Sequence, residues 1–129
     1  MASTSADDRG IADELVLERE DDLTVARILA PRLYAGESAD RVGGLLLERA
    51  RKGQFRKLLI DFSRVDVVSS TFLGTLTVLQ QALRKQGGAL RIFGLHESLE
   101  RVFEVAHLRD LFGIDPDEET ARFEIQRSN

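Results

Sequence analysis

The chain contains no cysteine, which excludes disulfides, thiolate metal centres and cysteine nucleophiles and fits a reducing compartment. No apolar run approaches the roughly 20 residues needed to cross a bilayer. The first residues, "MASTSADDRG", offer neither the basic start nor the apolar core of an export signal. The expectation is a cytoplasmic protein with no membrane partner. Basic residues are outnumbered, 18 against 22 acidic, for a net charge of -4; this argues against nucleic acid as the main partner, because phosphate binding needs a basic face. Histidine is scarce as well. His96 and His107 have neither a cysteine nor a second histidine at metal-ligand spacing, and no Gly-x-Ser-x-Gly elbow surrounds the hydroxyl residues. The chain is therefore not expected to be an enzyme, to hold a metal or to need a cofactor.

What is present suits one domain. A chain of 129 residues, 43% apolar and 31% charged, buries about two thirds of its unfolded surface without staples. Residues 1–12 read as a flexible tail and residues 13–129 as the domain. "ELVLERE" and "LTVARIL" alternate as two strands of a hairpin around Asp21 and Asp22. "SADRVGGLLLERARKG" has helical spacing, with basic residues in its last turn and Gly53 as its stop. "RKLLIDF" reads as a central strand covered on both faces. Phe72, Leu73, Leu76, Leu79 and Leu83 form a helical stripe that ends at Gly87. "ALRIFGL" is the next strand. In "HESLERVFEVAHL", Leu99, Val102, Phe103 and Val105 or Ala106 are expected to face inward. The end of the chain stays open: Asp115 before Pro116 reads as a helix start, whereas "RFEIQ" alternates like a strand. This order makes an α/β fold, a mixed sheet of about four to five strands with helices packed against it.

Ser69, Ser70 and Thr71 fall at the seam between a strand end and a helix start. One of them is expected to cap the helix, a contribution of roughly 1 kcal/mol. A cap needs one hydroxyl, and an exposed hydroxyl at a positive helix terminus is a favourable place to carry a phosphate. Other candidates have plainer readings. Asp61 and Asp66 near a strand end lack a metal or substrate partner, the basic run "RARKGQFRK" reads as a solvated helix end, and Gly43-Gly44 reads as close packing.

"LIDFS", "VSSTFLGTL", "GGALRIFGL" and "VFEVAHLRDLFGI", in this order and spacing, resemble the STAS domain, the module shared by sulfate transporters and bacterial anti-sigma factor antagonists. The soluble antagonist branch is the better match. The resemblance implies a single STAS-like domain that binds an anti-sigma factor with serine-kinase activity, is released by phosphorylation and is restored by a phosphatase. The kinase supplies the ATP site, so no cofactor is implied for this chain. Laid on the family's loop, Thr71 falls on the phosphoacceptor, with Ser70 second, and Ser69, Ser70, Thr71, Phe72 and Tyr34 fall on the partner-binding surface. Two departures stand out: Ser69 replaces an aspartate, and Tyr34 replaces an acidic residue after the second strand. They favour a second reading, a constitutive scaffold module that self-associates as a homodimer and is never phosphorylated. A third reading is a small-ligand or lipid-binding module.

Overall fold

Alternating apolar residues build β1 (Leu15–Glu20) and β2 (Leu23–Ile28), joined by a tight turn in which Asp21 takes a φ of 56°, a conformation that aspartate tolerates better than most residues. The computed structural model describes residues 13–127; the expected tail, residues 1–12, lies outside the described residues. The chain continues through β3 (Arg32–Leu33), α1 (Ser38–Arg51), β4 (Lys57–Asp61), β5 (Val67–Val68), α2 (Ser70–Lys85), β6 (Ala89–Phe93), α3 (Glu97–Val105), β7 (Gly113–Asp115) and α4 (Glu118–Arg127). Five strands form one mixed sheet in the order β1-β2-β4-β6-β7, with β1 antiparallel to β2 and the rest parallel. β3 and β5 form a separate parallel pair. The α/β architecture is the expected one, with β4 central in the sheet.

Strand alternation divides the core in two. Leu15, Leu17, Ala26, Ile28, Leu58, Ile60, Leu90 and Ile92 point to the side packed by α1, α2 and α3, while Leu23, Val25, Leu59 and Phe93 point to the other side, where Ala121 and Ile125 of α4 cover them. On the larger side Phe62, Phe72, Phe103 and Phe112 meet edge to face in a chain, with ring centroids 6.1 to 6.3 Å apart, a favoured geometry for aromatic pairs.

α1 and α2 pack against each other at Gly43. A Cβ there would stand 2.8 Å from the Thr75 Cγ2 methyl, so the close-packing reading holds for Gly43; Gly44, by contrast, faces open space. Gly43→Ala is expected to destabilise the fold by about 1–3 kcal/mol through overpacking. Thr75→Ser, which removes the methyl, should recover most of that loss in urea unfolding. No recovery in the double variant would place the strain elsewhere.

One expectation needs correction, and the open end of the chain resolves as a helix. α3 buries only Leu99 and Phe103; Val102 and Val105 are 37% and 72% exposed, and Ala106 is exposed too. At about 100° per residue, Val105 lies roughly 200° around the helix from Phe103, and a nine-residue helix resting on one face has nothing to cover it. At the end of the chain, Asp115 closes β7 and "RFEIQ" belongs to α4. Asp117 is the residue that caps, its Oδ1 accepting from the Thr120 N–H at 2.8 Å. Asp115 is buried and receives two hydrogen bonds from Arg91, at 2.7 and 3.0 Å.

Ion pairs surround the smaller core. Arg27 contacts Asp61, Glu18 and Glu118, each at 3.0 Å, and Arg122 contacts Glu20 and Glu118, also at 3.0 Å. Hydrogen bonds from Arg27 hold the Glu118 carboxyl below the ordinary glutamate value of 4.5, and those from Arg122 do the same for Glu20. A carboxyl whose folded pKa is depressed contributes stability that is present above its unfolded value and lost as pH falls through the folded one. The urea midpoint should therefore fall more steeply on acidification below 4.5 in the wild type than in Glu118→Gln. Identical acid slopes would remove Glu118 from the account.

Candidate functional site

The site is assembled by the short β3–β5 pair beyond the carboxyl ends of β2 and β4, the region of an open α/β sheet where loops gather to form sites. Leu33 stands opposite Val68, and the Ser69 N–H donates to the Leu33 carbonyl at 2.9 Å. The next residue on one strand, Tyr34, is thereby brought beside the start of α2. Pro31 reinforces the junction, its carbonyl accepting from the N–H groups of Asp66 and Val67 at 2.7 and 3.2 Å.

The three hydroxyls divide their work. Ser69, with extended backbone, is the N-cap of α2, and its Oγ accepts from the Phe72 N–H at 3.2 Å. That satisfies one of the orphan N–H groups of the first turn. Ser70 and Thr71 follow as the first two helical residues; both are exposed, and neither hydroxyl has a hydrogen-bond partner among the described residues. The first turn of α2 carries no acidic residue, whereas α1 has Asp40, α3 has Glu97 and Glu100, and α4 has Glu118 and Glu119. Its positive terminus has no carboxylate of its own helix to offset it.

Tyr34, Ser69, Ser70 and Thr71 thus come together at one end of the sheet, with Tyr34 45% exposed. Phe72 does not join them. Its side chain is 0% exposed and packs against Phe62, so the expectation of a surface contact at Phe72 is corrected. The physical reason is its spacing: Phe72, Leu76, Leu79 and Leu83 share the buried stripe of the helix.

Two surface features adjoin the hydroxyls. Thr71, Gly74 and Val78 form an exposed column at i, i+3 and i+7 on α2, with open space at Gly74 and Val78 40% exposed. The signal for this column was available as the complement of the buried stripe. On the other side, an open groove of about 420 Å³ runs past Leu29, Pro31, Arg32, Tyr34, Glu37 and Arg41. Arg41 is engaged there by Glu14, at 2.6 and 2.9 Å.

The remaining candidates are structural or isolated. Asp61 is buried and bound by Arg27 at 3.0 Å and by the Ser63 N–H at 2.8 Å, while Asp66 is exposed. His96 precedes α3, and its Nε2 lies 2.9 Å from the Ser63 carbonyl and 3.9 Å from Asp66. His107 is exposed, with a φ of 60°. Among the described residues no His, Asp and Glu group is arranged to hold a metal ion, and no helix is long and apolar enough to cross a membrane.

No curated protein sequence matches the chain. Solved structures do. An anti-sigma-factor antagonist (STAS) domain protein from Planctomyces limnophilus superposes with a TM-score of 0.75 at 18% identity, over 87% of this chain and 97% of its own. An anti-sigma factor antagonist from Mycobacterium paratuberculosis gives 0.70 at 18% identity, over 87% and 92%. The Bacillus cell fate determinant SpoIIAA in its phosphorylated form gives 0.65 at 16% identity, over 89% and 99%. At such identities these likenesses speak for the fold. The family model of the STAS domain matches residues 15–121, from β1 into α4, and with that match the chain belongs to the STAS domain family.

Proposed function

We propose that the chain is an anti-sigma factor antagonist, a binding protein rather than an enzyme, whose partner is an anti-sigma factor with serine-kinase activity. The partner is met by the start of α2, by Tyr34 and by the exposed column Thr71, Gly74 and Val78. Thr71 is the phosphoacceptor, with Ser70 second. The observation that carries this reading is the division of labour at the seam: Ser69 caps the helix, leaving two exposed hydroxyls without a hydrogen-bond partner among the described residues, on a helix terminus without acidic residues. A phosphate there adds about -1.5 to -2 charges, which the terminus tolerates and a partner surface fitted to the neutral side chain does not. Phosphorylation then releases the partner, and a phosphatase restores binding.

The test is phosphosite mass spectrometry after incubation with ATP and a kinase-active lysate of the native host. The expected outcome is one phosphate on Thr71, absent from Thr71→Ala and retained in Ser70→Ala. No phosphate on either residue would move the assignment to the constitutive binding module.

A further inference from the structure

We infer that the opposite pole of the molecule, where α1 and α2 end, is a docking surface for an anionic phospholipid bilayer. Taken one helix at a time, the cations after α1 read as a solvated helix end, and the lack of a membrane-crossing run argues against a membrane partner; a surface contact needs no such run. The fold adds a second helix to them. Gln86, which follows α2, donates from Nε2 to the Ala50 carbonyl of α1 at 2.9 Å, and the Ala89 N–H donates to the Arg56 carbonyl at 2.9 Å. These contacts gather Arg51 and Lys52, Arg56, and Arg84 and Lys85 at one end of the sheet, all five exposed.

The charge exceeds what the helices need. Each helix C-terminus carries about half an elementary negative charge, and two ion pairs lie at this pole: Lys52 with Glu48, 3.3 Å apart, and Lys57 with Asp22 of the β1–β2 turn, 3.7 Å apart. Arg51, Arg56, Arg84 and Lys85 have no ion pair among the described residues. By contrast Arg27, Arg41, Arg91 and Arg122 each lie against a carboxylate. A chain of net charge -4 therefore holds a pole where five exposed cations outnumber Glu48 and the bordering Asp21 and Asp22 of the β1–β2 turn, and this local excess favours an anionic partner that touches that end.

A bilayer surface meets that condition, because juxtaposed lysines and arginines each add to binding at an anionic leaflet without entering it. Nucleic acid fits less well. Phe55, the aromatic residue of this segment, is 3% exposed and offers no face for base stacking. α2 would then span roughly 24 Å at 1.5 Å per residue between the docked pole and Thr71, which faces away from the membrane and stays open to a partner.

The experiment is co-sedimentation of the full chain with vesicles of phosphatidylcholine alone or mixed equally with phosphatidylglycerol, at low and physiological ionic strength. Binding only to the phosphatidylglycerol vesicles, weakened by salt, is expected. It should fall more than about tenfold in the triple variant Arg51→Glu, Arg56→Glu, Lys85→Glu and persist in Arg101→Glu, an exposed change on α3. Thermal unfolding followed by circular dichroism checks that each variant is folded. Absence of wild-type binding at low salt would overturn the inference, as would equal binding by the triple variant. Tighter binding to a duplex oligonucleotide than to vesicles at matched phosphate concentration would also overturn it and assign the pole to nucleic acid.

Discussion

Phe72→Ala is expected to cost about 3–5 kcal/mol in urea unfolding, the range for deleting a buried aromatic side chain. The ring is fully buried and meets Phe62 edge to face, at 6.2 Å between centroids, so truncation leaves a cavity where the first turn of α2 meets the end of β4. Phe72→Leu should lose less, since it keeps most of the apolar volume. Thr71→Ala, one residue away but exposed, should stay within about 0.5 kcal/mol of the wild type. This pair of neighbours separates the two faces of one helix turn: one holds the fold and the other is free for partners. A loss below about 1 kcal/mol for Phe72→Ala would contradict its place in the core.

Arg27→Ala is the second large effect, expected at about 2–4 kcal/mol. The arginine is about one fifth exposed and its partner Asp61 is 7% exposed. Asp61 keeps the Ser63 N–H at 2.8 Å but loses its cation, and a buried carboxylate without its counter-charge is costly. The exposure of Arg27 and Glu118 keeps the estimate below that for a fully enclosed pair. The same change removes the bidentate contact that anchors the first turn of α4, so Ala121 and Ile125 lose their support over Leu59 and Phe93. Adding Asp61→Asn to Arg27→Ala should return part of the loss, because the carboxamide needs no counter-charge. No gain in the double variant would show that the cost comes from lost packing of the arginine stem instead.

How much of this was legible in the sequence depends on the length and isolation of each signal. β1, β2, β4 and β6 span five or six residues, enough for alternation or a continuous apolar run to declare itself. β3, β5 and β7 have two or three, too few for any period. They arise because the crossovers lay them side by side, and with them went the pairing that places Tyr34 beside Ser69. "RFEIQ" alternates, yet Glu118 and Arg122 tie this segment to Arg27 and Glu20 as a helix across the sheet, a tertiary decision invisible in the local pattern. Phe72 is instructive in the other direction. Its spacing to Leu76, Leu79 and Leu83 already put it in the core, while the resemblance put it on the partner-binding surface, and the spacing was the better guide. Ser69, Ser70 and Thr71 were legible as a group, but which of them caps rests on the extended backbone of Ser69 and on the ladder that holds it.

The claim at the centre of this account is that a neutral side chain at Thr71 permits partner binding and a negative one prevents it. The most direct measurement compares capture from a native-host lysate by wild type, Thr71→Ala and Thr71→Glu, each first shown to unfold at the same urea midpoint. Wild type and Thr71→Ala are expected to retain a protein carrying a serine-kinase ATP site, identified by mass spectrometry, and Thr71→Glu to lose it by more than about tenfold. Equal capture of that protein by all three would contradict the account.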